Sequence, residues 1–314
     1  MAGEGKQHMM RRGAFFIAAV FFCLFVTPRP SFAATCNLSA TSPTDLDFGG
    51  LQKPSSTKTF AVNLSDVTSG TGTLLYGSPS HGKYNIKDNN ACGGTTICIT
   101  VTDTGGATGV TLGSWILNYN GASITNGQCG LANPATTPLL IGATATFTSG
   151  VSIGAQSPTF NIHVVENGNT EDISETALIA FDIPLSINTV SNINFGTVKA
   201  GQAGTYVMSP AGDITPSVGG VLEGGTTAAG QLTIIGSTTQ AITISDDNYI
   251  NNNGVTISNA KGSYAGGTAK ALPFNAAAPG AGTTLMLGVK VHADGTQASG
   301  ATATPTFDVT VVYQ

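Results

Sequence analysis

The chain repeats itself. CNLSATSPTDLDFGGL (36–51) aligns with IPLSINTVSNINFGTV (183–198) at a constant shift of 147 residues, Cys36 falling on Ile183. Leu38 then meets Leu185, Ser39 meets Ser186, Leu46 meets Ile193, Phe48 meets Phe195 and Gly49 meets Gly196. KTFAV (58–62) matches GTYVM (204–208) and LLIGATA (139–145) matches LMLGVKV (285–291), both shifted by 146. PTFNIHVVE (158–166) matches PTFDVTVVY (305–313), back at 147. Four blocks in one order, drifting by a single residue, with a period far too long for a solenoid, are two copies of one domain.

Both copies read as β throughout. Runs such as TKTFAVNLS, TICITVTD, GSWILNYN, QAITIS and MLGVKVHA are rich in Val, Ile, Thr and aromatics, and Gly, Asn, Ser and Pro clusters separate them. In neither copy does a stretch of helical length carry apolar residues at i, i+3, i+4 and i+7. Many short strands with Gly-rich turns predict an all-β chain of two tandem β-sandwiches. The expected division is a first sandwich over 34–166, a linker over 167–177 and a second sandwich over 178–314. The linker assignment rests on NGNTEDISETA, the most acidic stretch of the chain, and LIAFDIPLSI (178–187) is expected to open the second domain as its first strand.

Residues 1–33 read as an address. Arg11 and Arg12 precede the thirteen-residue run AFFIAAVFFCLFV (14–26), and SFA (31–33) supplies small residues for cleavage. This is the form of a secretory signal peptide, and the run is short for a membrane span. Cleavage after Ala33 leaves 281 residues, enough for two domains. Of the 12 basic and 17 acidic residues, the leader takes Lys6, Arg11, Arg12, Arg29 and Glu4, which leaves 8 Lys, no Arg and 16 acids, a net charge of −8. With no basic patch to follow a phosphate backbone, nucleic acid is excluded as a partner, and so is electrostatic docking to anionic lipid.

Four cysteines remain after export, Cys36, Cys92, Cys98 and Cys129, all in the first copy. In an oxidising compartment they read as two disulfides, with three pairings open. Cys92 and Cys98 enclose five residues and no histidine accompanies them, which is a poor zinc pattern. The histidines of the exported chain, His81, His163 and His292, are not matched between copies and belong to no nucleophile motif. SDDNYINNNG (245–254) lacks the alternating oxygens and closing Glu of an EF-hand loop. No metal, cofactor or catalytic residue is assigned, and the expectation is a structural or binding protein, not an enzyme.

The second copy carries a resemblance. INFGTVKAGQAGTYVMSPAGDITPSVGG (193–220), with FDVTVVYQ closing the domain, resembles a bacterial family classed only as a domain of unknown function. The same outline is similar to pilin subunits of the spore-coat-U and Csu type, which the chaperone–usher route assembles. The first copy is a more remote relative: LDFGGL fits, Cys36 stands where those pilins carry a cysteine, and the polar loops between Leu64 and Thr95 depart from the pattern. The resemblance implies immunoglobulin-like, pilin-like sandwiches, and a groove filled first by a strand from a periplasmic chaperone and then by one from a neighbouring subunit. It makes the terminal strand, with Phe307, Val309, Val311 and Tyr313 on one side, the assembly strand. The first mature motif begins at Cys36 with no donor extension ahead of it, the outline of a pilus-tip subunit. The implied role is an exported surface adhesin whose disulfide-bearing, Trp115-bearing first domain faces a host or surface receptor. The alternative is a freestanding secreted or outer-surface binding protein whose two sandwiches are both complete.

Overall fold

A computed structural model describes residues 38–88, 94–132 and 136–314. All regular elements among them are strands. The first half runs β1 (Leu38–Thr44), β2 (Asp47–Gln52), β3 (Lys58–Val62), β4 (Thr68–Gly70) and β5 (Leu74–Tyr76). It continues with β6 (Gly82–Asp88), β7 (Thr96–Gly105), β8 (Val110–Tyr119), β9 (Ala122–Ile124) and β10 (Gln128–Ala132). It ends with β11 (Thr136–Phe147), β12 (Gly154–Gln156), β13 (Thr159–Glu166), β14 (Asn169–Thr176) and β15 (Leu178–Asp182). One sheet has the order β1-β6-β11-β3-β4, with β8 also on β11 and β9 on β8. Facing it lie β10-β7-β13-β14 and a smaller sheet, β12-β15-β2-β5.

The second half repeats the plan. Its strands begin with β16 (Ser186–Ser191), β17 (Thr197–Val198), β18 (Gly204–Met208), β19 (Ile214–Ser217) and β20 (Leu222–Gly224). Next come β21 (Gly230–Ile235), β22 (Ile242–Ile250), β23 (Val255–Tyr264) and β24 (Lys270–Ala271). The last three are β25 (Phe274–Ala276), β26 (Thr283–Ala293) and β27 (Thr306–Tyr313). The large sheet, β16-β21-β26-β18-β19 with β23 and β24 beside β26, has the order of its twin. Opposite it lies β25-β22-β27, the counterpart of β10-β7-β13. The two-copy repeat of the sequence is therefore a repeat of topology.

The shared aromatic–Gly motif has a local cause in each copy. The Asp47 carboxylate accepts the Gly49 N–H at 2.7 Å, and the Asn194 side chain accepts the Gly196 N–H at 2.9 Å. These are Asx turns, and the glycines sit at φ +73° and +70°, a conformation that favours a residue without Cβ. The turn throws Phe48 fully inward, whereas Phe195 is half-buried.

The acidic stretch 167–177 is not a linker. Glu166 and Asn169 are joined by Asn167 and Gly168, both at positive φ (47° and 80°), the geometry of a two-residue type I′ hairpin. The chain doubles back as β14 and pairs with the whole of β13, from Glu166 opposite Asn169 to Thr159 opposite Thr176. Residues 178–187 do not open the second domain either. Leu178–Asp182 is β15, parallel to β2, with Ile179 and Phe181 inside the first core. A parallel partner so distant in sequence ties the end of the first sandwich to its beginning. The physical reason is that β14 is polar on both faces apart from Ile173, so its composition resembles a linker's, while the hairpin turn and the ladder to β13 decide its structure.

The two cores differ. Strands of both sheets in the first copy supply one continuous cluster that includes Phe48, Phe60, Tyr84, Phe147, Phe160 and Phe181. The second copy has two smaller clusters, around Ile234, Ile244 and Leu285 and around Tyr206, Val289 and Val291.

Candidate functional site: an open groove beside the terminal strand

The contrast between the twin strands β13 and β27 locates the site. Along β13, Phe160, Ile162, Val164 and Glu166 alternate inward and are fully buried. Along β27 the same alternation brings Phe307, Val309, Val311 and Tyr313 inward but leaves all four only half-buried. The ladders explain the difference. β13 lies between β7 and β14, whereas β27 pairs with β22 alone and forms the edge of its sheet among the described residues. In the first sandwich β14 also approaches β1, at the edge of the facing sheet, so the gap between the two edges is closed. Ile173 of β14, opposite Ile162, packs on the core.

Among the described residues, the gap at the equivalent place in the second sandwich stays open. A solvent-connected groove of about 270 Å³ lies between β16 and β27. Phe307 and Val309 form one wall, and Ile187 and Ile193 form the other. Leu232 and Leu287 lie at the floor, together with Gly230, where a Cβ would stand 2.8 Å from Ile193. Phe307 is held from behind by Tyr249, with ring centroids 5.6 Å apart and planes 14° from parallel. Thr189, Ser191, Asn192 and Asp308 complete the lining. An edge strand whose outer backbone groups are unpaired among the described residues, beside a slot with an apolar floor, is suited to receiving another strand.

Tyr313, expected to belong to the assembly surface, turns elsewhere. Its hydroxyl donates to the Ile183 carbonyl at 2.6 Å and accepts the Ser237 N–H at 2.7 Å. Its ring meets Tyr76 of the first sandwich edge-on, centroids 5.3 Å apart. Burial pushes the Tyr313 phenol up, the Ser237 bond opposing and the charge of Asp182 adding to it. Burial and the adjacent Asp182 carboxylate push Tyr76 further, to about 12. Sequence reasoning missed Tyr76 altogether, because nothing in the chain order ties it to residue 313.

The remaining candidates have structural surroundings. Cys98 is bonded to Cys129, one of the three open pairings resolved in part, while Cys36 and Cys92 lie outside the described residues. Trp115 packs against Phe160, centroids 5.3 Å apart, and so belongs to the core of the first sandwich. His81 pairs with Asp66 and His163 with Asp172, each at 2.7 Å, and the His292 ring lies 3.0 Å from the Thr205 hydroxyl. The His163 pair spans the β13–β14 ladder on its outer face, where Asn161 also donates to Asp172. In the 245–254 stretch, Asp246 accepts the Tyr249 hydroxyl and Asp247 accepts the Asn248 N–H.

No protein-family model matches the chain, and no curated protein matches it. Among solved structures, it is similar to a chain of the CsuC–CsuE chaperone–tip adhesion subunit pre-assembly complex of Acinetobacter baumannii. That match has 12% identity over 87% of this chain and 100% of the other, with a TM-score of 0.27. A chaperone–tip adhesin complex of CFA/I fimbriae matches at 8% identity, 87% and 98% coverage and a TM-score of 0.25. The secreted serine protease VesC of Vibrio cholerae matches at 9% identity, 88% and 51% coverage and a TM-score of 0.20. Likenesses this faint identify neither a family nor a partner for this chain.

Proposed function

We propose that the second sandwich is an acceptor for a β-strand from another protein. In this reading the chain is an exported cell-surface subunit of the two-domain, pilus-tip kind that mediates attachment. A periplasmic chaperone and usher, and then a neighbouring subunit, handle it during assembly. The observation that carries the reading is internal: one chain holds two copies of a sandwich, one closed by its own β14 and the other, among the described residues, open at the same edge. The strand that fills the gap would run along β27 as β14 runs along β13, with main-chain bonds holding it and alternate side chains entering the groove. Covering three half-buried side chains, Phe307, Val309 and Val311, would contribute about 1 kcal/mol each, before the new ladder bonds are counted. The first sandwich needs no such help, which suits the outward-facing, receptor-contacting role assigned to it here.

The twin supplies the probe. In β14, the residues opposite Phe160, Ile162 and Val164 are Glu175, Ile173 and Glu171. A synthetic peptide with the sequence Asn169–Thr176 carrying Glu171→Val and Glu175→Val therefore presents apolar groups at the alternate positions. Titrated into the exported chain, it should bind one to one and raise the unfolding midpoint of the second sandwich. The midpoint of the first, followed through Trp115, should move less. A stable monomer that neither binds this peptide nor gains stability from it would instead be a freestanding exported β-sandwich protein.

A further inference from the structure

Four separate parts of the chain meet at the Tyr313 side chain. The ring lies against Tyr76, at the end of β5 in the first sandwich. The hydroxyl bridges Ile183, in the segment connecting the sandwiches, and Ser237, in the turn after β21. Gly236 leaves room for it, since a Cβ there would stand 2.8 Å from the Tyr313 oxygen. Tyr76 is fixed in turn. Its ring covers Gly50, and its hydroxyl donates to Asp182 at 3.1 Å. Asp182 is fully buried; its other carboxylate oxygen accepts the Ile183 N–H at 3.2 Å and its carbonyl accepts the Lys53 N–H at 2.7 Å. The strand end is pinned as well, the Gln314 N–H donating to Ala241 and the Gln240 amide donating to the Gln314 carbonyl. No loop intervenes between this contact and the groove, because Tyr313 and Val309 belong to one strand.

We propose that Tyr76 and Tyr313 form a latch through which the occupancy of the groove beside the terminal strand sets how firmly the first sandwich is held on the second. The proposal rests on the strand-acceptor reading above. Paired on one side only, β27 can twist and shear along its free edge, and that motion works against the Tyr313 contacts, which are made at the end of the same strand. A strand bonded to its free edge holds it from both sides and keeps Tyr313 in the position that Tyr76, Ile183 and Ser237 require. Coupling between binding sites is reciprocal: latch closure must tighten strand binding by the factor by which strand binding favours latch closure, so breaking the latch from the first sandwich removes that factor from strand binding in the second.

The test uses the β14-derived peptide and variants that do not touch the groove. Tyr76→Ala should lower its affinity about fivefold or more, the low end of ordinary coupling. Tyr76→Phe, which keeps the ring and loses only the bond to Asp182, should have a smaller effect in the same direction. If Tyr76→Ala fails to fold, Tyr76→Phe carries the measurement. In parallel, ¹⁵N relaxation should report less independent tumbling of the two sandwiches in wild type when peptide is added, and little such change in Tyr76→Ala. Unchanged affinity in both variants, with interdomain motion indifferent to peptide, would overturn the latch while leaving the strand-acceptor reading standing. Failure of the peptide to bind wild type would overturn both.

Discussion

Truncating Phe160 and truncating Phe307 should carry different costs, although the two residues hold one position in twin strands. Phe160 is fully buried in the continuous first core, its ring 5.9 Å from Tyr84 and 5.3 Å from Trp115. Removing a ring so enclosed costs about 3–5 kcal/mol, from lost transfer energy and from the cavity left behind. Phe307 lines an open groove and is half-buried, so only part of its surface is removed from water and the space it vacates opens to solvent. Its truncation should cost about 1–2 kcal/mol on the same area scale. Trp115 is the chain's only tryptophan and lies in the first sandwich, so its fluorescence in urea reads Phe160→Ala. Amide exchange along β22 and β26 reads Phe307→Ala. With a strand bound in the groove, the cost at Phe307 should rise toward that at Phe160. Equal costs at the two positions without any added strand would mean that β27 is as enclosed as β13, and the reasoning would fail.

The turns, the disulfide and the outer ladder give further outcomes. Gly196→Ala should lower the stability of the second sandwich by about 1–2 kcal/mol in chemical denaturation, because φ is +70° and a Cβ would meet the Gly224 carbonyl at 2.7 Å. The double variant Cys98→Ser, Cys129→Ser opens a loop with a sequence separation of 31. It should cost the first sandwich about 3–4 kcal/mol by Trp115 fluorescence and leave exchange in β26 unchanged. The hydrogen bond from His163, and then that from Asn161, hold the Asp172 carboxyl below its ordinary 3.8. A depressed carboxylate stabilises above its unfolded pKa, and the contribution is lost as pH falls through the folded value. Amide protection in β14 should therefore drop on acidification below about pH 4, and Asp172→Asn should flatten that dependence.

Much of this architecture was written in residue patterns. The alternation of TPTFDVTVVYQ against SPTFNIHVVE is real strand periodicity in both copies, and the repeated aromatic–Gly steps are matching Asx turns. Acidity by itself does not make a linker. Glu171, Asp172 and Glu175 are tolerated in β14 because its ladder to β13 and the His163–Asp172 pair hold it, with Ile173 alone on the core. The Asn167–Gly168 turn announced that hairpin and was outweighed by charge. The openness of the groove could not be read from β27 at all, since its residues are those of a core strand. It depends on which strands lie beside it, and the twin gives the standard for comparison. Glu166 of the first copy aligns with Tyr313 of the second. Glu166 is sealed inside its sandwich, whereas Tyr313 reaches across to Tyr76.

Amide exchange residue by residue along β27, with and without the β14-derived peptide, tests the central claim most directly. In the free protein every amide of β13 should be protected, while in β27 protection should alternate, because only the groups facing β22 are paired. Adding peptide should protect the alternate set and make β27 resemble β13. Uniform protection along β27 in the free protein, or an alternating pattern that saturating peptide leaves unchanged, would contradict the account.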